Sequence, residues 1–335
     1  MQLDQAIRHA THGFSRALGW LGQRLKLRFD WRLPSLGGAL RIILIAIPLI
    51  LIYYIFGAFL MSKVDADLKF QPPAADQGGS KAVAITAALI DRETKRWVPN
   101  DPFYKPSYIL HNMPSFQHGM LDSFRRFTIS LNDQLGRTRG SSPADPDLEL
   151  AAGDIRYAAN RWIWNADRWW AINLTAEESY RRAAKELRSY NKRLAAGQAT
   201  FDSRTDNLKA TLDGFANDLG ATSAAINDLV GKTAGWPWNV QAAELFYRAQ
   251  GELYGCYMIL SGLRSDAAQV LKEKNLDPVY DQMLQSLADG VKLHPWLILN
   301  GSPDSQIFPN HLMIEGFYLL QARTRLREIT TILQT

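Results

Sequence analysis

The chain has 335 residues, 47% of them hydrophobic, enough for one large helical domain or two small ones. Its single cysteine, Cys256, excludes an intramolecular disulfide framework and any multi-cysteine zinc site. The formal charge of +5 is no nucleic-acid signature: residues 1–41 hold seven of the 38 Lys+Arg but two of the 33 acids, leaving 31 of each sign beyond.

Residues 1–41 read as a cytoplasmic basic arm. Leu3, Ile7, Ala10, Phe14, Leu18, Leu21 and Leu25 step by four and three, leaving Arg8, Arg16 and Arg24 off the stripe. Such a basic amphipathic helix suits the surface of an anionic inner leaflet. A solvated juxtamembrane segment, or a helix packed on a partner, accounts for the same spacing. The run LPSLGG (33–38) breaks the helix.

From Ile42 to Met61 there is no charged residue. A helix of that length rises about 30 Å, the thickness of a hydrocarbon core. Pro48 would break most soluble helices but is tolerated in a span, where local groups satisfy the freed carbonyl. A signal peptide fits less well, because the run starts about forty residues in and no small-x-small site follows. Seven basic residues precede the run, while Lys63 and Lys69 follow among Asp65 and Asp67. The positive-inside rule then keeps the N-terminus in the cytoplasm and exports the rest, to the periplasm if the membrane is a bacterial inner membrane.

Residues 62–80 read as a linker ending in QPPAADQGGS, and residues 81–335 as a periplasmic helical domain. Helix spacing starts near 81–95 and, after a proline-punctuated loop (97–115), resumes behind Pro114 through Met120, Phe124, Phe127, Leu131 and Leu135. Regular seams follow from Tyr180 to Leu194, from Leu208 to Leu229 and from Ala242 to Val270. A shorter helix near 277–290 and a last one near 311–333 complete the chain. No alternating strand pattern or internal repeat is present. The expected fold is all-α, a bundle of long antiparallel helices behind a transmembrane helix.

Chemistry-bearing groups are few. His118 and Asp122 stand four apart on one helix, a spacing that suits two metal ligands, but a four-ligand set cannot be assembled and a helix-surface pair explains them. Glu315 takes a seam position where an apolar residue is expected; a buried acid there is either paired or a general acid/base of raised pKa. Cys256 lies on a seam and reads as a small buried hydrophobe. Ser189-Tyr-Asn-Lys192 matches a Ser-x-x-Lys pattern by chance, since its companion motifs and α/β context are missing. In RWIWNADRWW (161–170), Trp162, Trp164, Trp169 and Trp170 suit packing, a membrane interface or stacking on sugar rings. The loops 111–115 and 299–312 offer His111, Asn112, Asn300, Asn310 and His311, with His118 nearby, either as a recognition site or as mutually bonded turn residues. No catalytic, metal or cofactor residue is assigned.

The stretches YILHNMPSFQHGML (108–121), DPDLELA (145–151) and SYRRAAKELRSYNKRLAAGQATFDSRTDNLKATLDGFANDLG (179–220) resemble a bacterial membrane-anchored family, domain of unknown function 2333. AAELFYRAQGELYG (242–255) and PWLILNGSPDSQIFPNHL (295–312) extend the resemblance, which covers most of residues 80–333. RWIWNADRWW and the long basic arm fit it less closely. The resemblance implies a single-pass inner-membrane protein and transfers no catalytic residue. The function expected is a membrane-anchored scaffold or adaptor for other envelope proteins, or for a second copy of itself. The alternative is a protein or enzyme that takes cell-wall glycan or lipid between loops 111–115 and 299–312.

Overall fold

The computed structural model describes residues 38–61, 63–73, 78–138, 145–164, 173–201, 204–233 and 235–334. Among the described residues there are ten α-helices and no β-strand, the class the seams lead one to expect. The basic arm with Arg8, Arg16 and Arg24, and the tryptophans Trp169 and Trp170, lie outside the described residues.

Two compact units divide between Tyr53 and Tyr54. The first contains the opening turns of α1 (Gly38–Met61), which runs unbroken through Pro48. Over Ile43–Met61 the mean hydropathy is 2.6 and only 6% of the stretch is buried. A helix this apolar and this little covered is long enough to cross a membrane.

The second unit, Tyr54–Thr335, holds the other nine helices. They are α2 (Lys81–Thr94), α3 (Asn112–Thr138), α4 (Pro146–Ile155), α5 (Ala176–Ala195), α6 (Thr205–Thr233), α7 (Val240–Asp266), α8 (Ala268–Glu273), α9 (Asp277–Val291) and α10 (His311–Gln334). Their starts follow capping chemistry. Asp145 before Pro146 caps α4, a helix the sequence analysis did not place; Thr175 caps α5, and Asn239 caps α7. In α5, Glu177 and Glu178 sit in the first turn and Lys192 and Arg193 in the last, each sign against the favourable end of the dipole.

The seam expected to run unbroken from Ala242 to Val270 is interrupted at Ala267, between α7 and α8. The Asp266 carboxylate, at this break, is turned to α2. It accepts hydrogen bonds from the Ser80 hydroxyl (2.7 Å) and from the backbone N–H groups of Lys81 (2.8 Å) and Ala82 (3.0 Å), so the last residue of α7 caps the first turn of α2. Asp266→Ala is expected to lower unfolding stability by about 1–2 kcal/mol, read as a shift in the urea midpoint. An unchanged midpoint would show the cap to be dispensable.

α7 is the central element, packed against α2, α3, α6, α9 and α10, and its buried residues lie on all sides rather than on one stripe. α6 runs antiparallel to α7, with Thr222 beside Glu252, and also to α10, with Gly220 beside Arg323 and Gly316 beside Ile226. α3 and α7, by contrast, point the same way and come unusually close. A Cβ at Gly119 would overlap the Arg248 carbonyl, one at Gly251 the Phe116 carbonyl, and one at Gly255 would stand 2.7 Å from Ser123 Cβ. Residues 65–70, expected within the linker, run along α2 and α7: Arg92 donates to the Asp65 carbonyl (3.0 Å) and the Tyr254 hydroxyl to that of Asp67 (3.1 Å).

These directions gather the N-termini of α3, α7 and α10 and the C-terminus of α6 at one end of the unit. His111 Nδ1 meets Glu244 Oε1 there at 2.6 Å, Gly235 N–H donates to the Asn300 carbonyl (3.1 Å), and Asn300 N–H donates to that of Pro237 (3.3 Å).

Candidate functional site

A cleft of about 350 Å³ between α3, α6 and α7 is lined mostly by charged residues. The 3.6-residue repeat places Asp122, Arg125 and Arg126 on one arc of α3, Asp218 and Thr222 on α6, and Arg248 and Glu252 one turn apart on α7. Arg248 Nη2 reaches Asp122 Oδ2 at 2.8 Å, and Arg126 grips Asp218 with two parallel bonds of 2.6 and 2.5 Å. Arg125 is turned to the backbone, donating to the carbonyls of Ile155 (2.8 Å) and Tyr157 (2.7 Å).

Glu252 is the singular member. The Thr222 hydroxyl donates to its carboxylate, and it is 5% exposed. Burial, only partly offset by that hydrogen bond, raises its pKa to about 7. The three arginines face three acids, so the set is neutral with Glu252 ionised and carries one positive charge with it protonated. The cleft therefore changes its charge near neutral pH.

A raised folded-state pKa means that the native protein holds the proton more tightly than the unfolded chain. The resulting stabilisation is complete below the ordinary carboxylate value of 4.5 and is lost as pH rises through about 7. In Glu252→Gln the fall in stability across that window, about 3 kcal/mol from this group, is expected to vanish. A parallel pH profile in the variant would show that Glu252 is ionised throughout.

The residues singled out in the sequence fall in several places. His118 and Asp122 stand one turn apart on α3, and of the two Asp122 lines the cleft; burial first, and Arg248 next, lower the His118 pKa, so the ring is neutral at physiological pH. No group of three or more potential ligands for a metal occurs among the described residues. Asn300, Asn310 and His311 do come together. Asn310 Nδ2 donates to Asn300 Oδ1 (3.0 Å) and to the Gly301 carbonyl (2.7 Å), and Asn310 Oδ1 caps α10 at Met313 N–H (2.9 Å). Asn300 Nδ2 donates to the Thr233 carbonyl (2.9 Å), and His311 Nδ1 accepts from Leu299 N–H (2.9 Å). Their polar groups hold the loop in shape. His111 pairs instead with Glu244, and Asn112 opens α3. Trp162 packs edge-on against Tyr104 at 6.1 Å and lies 6.4 Å from Trp164. Cys256 is fully buried beside Ser123, its thiol pushed up by burial, as its seam position led one to expect. Glu315 is fully buried, neither carboxylate oxygen has a hydrogen-bond partner, and burial raises its pKa well above the usual range.

Glu252, the most informative residue of the cleft, escaped the sequence analysis. It sits inside AELFYRAQGELYG, where Leu253 and Cys256 carry the seam and a glutamate one place earlier reads as solvated.

A family model described as an uncharacterized protein conserved in bacteria, domain of unknown function 2333, matches residues 71–236 and 232–335. The chain belongs to this family. The matched region of this member of the domain-2333 family starts beyond α1 and includes all three helices of the cleft. No curated protein and no solved structure matches the chain.

Proposed function

We propose that the chain is a single-pass membrane-anchored scaffold that presents its helical domain to a protein partner in the bacterial envelope. The observation that carries the anchor is the apolar, largely uncovered helix Ile43–Met61 joined to a well-packed helical unit. With seven basic residues before it, the positive-inside rule puts the N-terminal arm in the cytoplasm and the domain in the periplasm of a Gram-negative cell. Arg8, Arg16 and Arg24 would then face anionic inner-leaflet lipid.

The α3/α6/α7 cleft supplies the adaptor surface in this reading. Its ion pairs are half-exposed and cross between helices, so a charged partner segment can exchange with them at modest cost. A photo-crosslinking side chain in place of Ala221, at the cleft wall, is expected to trap one discrete partner in cells. That adduct should disappear with Arg248→Glu and be absent from Leu150, exposed on α4. Equal labelling from Ala221 and Leu150 would refute the assignment. A glycan or lipid site between loops 111–115 and 299–312 has less support, because Asn300, Asn310 and His311 direct their hydrogen bonds inward.

A further inference from the structure

The exposed apolar side chains of the second unit are not scattered. Among the described residues beyond α1, 18 large hydrophobic side chains are exposed, and 16 of them lie in five segments, 103–109, 163–164, 236–240, 296–297 and 307–317. Only Leu150 and Leu320 fall elsewhere. The five segments are tied to one end of the unit. Tyr104 and Trp162 join the first two, the His111–Glu244 pair links α3 to the start of α7, and the Gly235–Asn300 and Gly301–Pro309 backbone bonds bring in the others. Trp296 is wholly exposed, Ile307 is 80% exposed and Phe103 72%. Soluble surfaces scatter such residues singly; a concentration at one pole marks something that covers them.

The same pole meets the outgoing half of α1. The Tyr54 hydroxyl donates to the Phe103 carbonyl, and Gly57 packs so closely on Pro106 that a Cβ would overlap its ring. Tyr54 lies within the apolar stretch Ile43–Met61. The 24 residues of α1 rise about 36 Å, about one turn more than a hydrocarbon core of roughly 30 Å, so with that excess on the outgoing side the turn from Gly57 to Met61 stands at headgroup level and Tyr54 just inside it. Lys63, Lys95, Arg96 and Lys105, with the two acids Asp101 and Glu177, give a net positive lining to a cavity beside Met61, where lipid phosphate would lie. Tryptophan and tyrosine are the side chains that favour this layer, with a flat apolar body and one polar atom.

We propose that this aromatic pole is a membrane-docking surface, laid on the phospholipid leaflet from which α1 emerges. Phe103, Tyr108, Trp164, Trp238, Trp296 and Phe317 enter the interfacial layer, and the domain stands on the bilayer rather than hanging from a tether. The proposal rests on α1 crossing the membrane.

The test uses the full chain reconstituted in vesicles of phosphatidylethanolamine and phosphatidylglycerol, spin-labelled at introduced cysteines; Cys256 is buried and stays unlabelled. Labels at Phe103→Cys, Trp296→Cys and Phe317→Cys are expected to collide with oxygen several-fold more, relative to an aqueous nickel complex, than a label at Leu150→Cys. Ile50→Cys, inside α1, gives the value for lipid. If Ile50→Cys reads as lipid while the three pole labels match Leu150→Cys, the docking surface is refuted and the pole is left for a protein. If Ile50→Cys itself reads as water, the anchor fails and the docking surface with it.

Discussion

Gly251→Ala is expected to destabilise the helical unit by about 3 kcal/mol or more, and Gly251→Leu to prevent its folding. The added methyl meets the backbone carbonyl of Phe116, which cannot rotate aside as a side chain can, so α3 and α7 must separate along their contact. Gly119→Ala faces the Arg248 carbonyl and carries the same penalty from the other helix. Gly153→Ala in α4 is the control. Nothing stands within 4 Å of its Cβ position, and alanine there should leave stability unchanged or raise it by about 0.5–1 kcal/mol. Urea unfolding of the three variants separates steric overlap from helix propensity. Wild-type stability for Gly251→Ala would mean that α3 and α7 do not cross where described.

Glu315→Leu is expected to act in the opposite direction and stabilise the protein by about 1–3 kcal/mol at neutral pH. An unpaired acid in an apolar interior forfeits the hydrogen bonds it makes to water in the unfolded chain, and leucine has none to lose. Because burial raises the folded-state pKa, the native state favours the protonated form. The penalty of burying Glu315 is smallest below 4.5, where the unfolded chain is protonated as well, and it grows as pH rises toward the folded-state value. The gain from Glu315→Leu should therefore be larger at pH 7 than at pH 4. Thermal melts at the two pH values read this directly. A destabilised variant would show instead that the carboxyl has a buried partner.

Helix positions were legible because each seam follows the repeat of an α-helix: Tyr180–Leu194 and Leu208–Leu229 fall inside α5 and α6. The end of α7 was not, because the apolar spacing continues past Ala267; nor was the bonding of Asp266 to α2 from some 180 positions away, since spacing carries no record of such a contact. The same limit hid the α3/α7 crossing. Gly119, Gly251 and Gly255 lower helix propensity when read locally, and only the neighbouring backbone shows why no larger residue fits. Of the polar candidates, Glu315 was visible as a break in an apolar seam, since its own helix decides that it is buried. The cleft was half visible. Asp122 stands four places from His118 on one helix, but Asp218, Arg248 and Glu252 come from two other helices and share no local motif. Asn300 and Asn310 are legible as residues of one loop, while their role in bonding it depends on Thr233, distant in the chain.

The account depends most on α1 crossing the bilayer once with the domain outside. A reporter enzyme that is active only after export, fused behind Thr335 and expressed in a Gram-negative host, measures that orientation directly. Activity in a carbonate-resistant membrane fraction is the predicted result. An inactive export reporter, with a cytoplasm-only reporter active at the same junction, would contradict it.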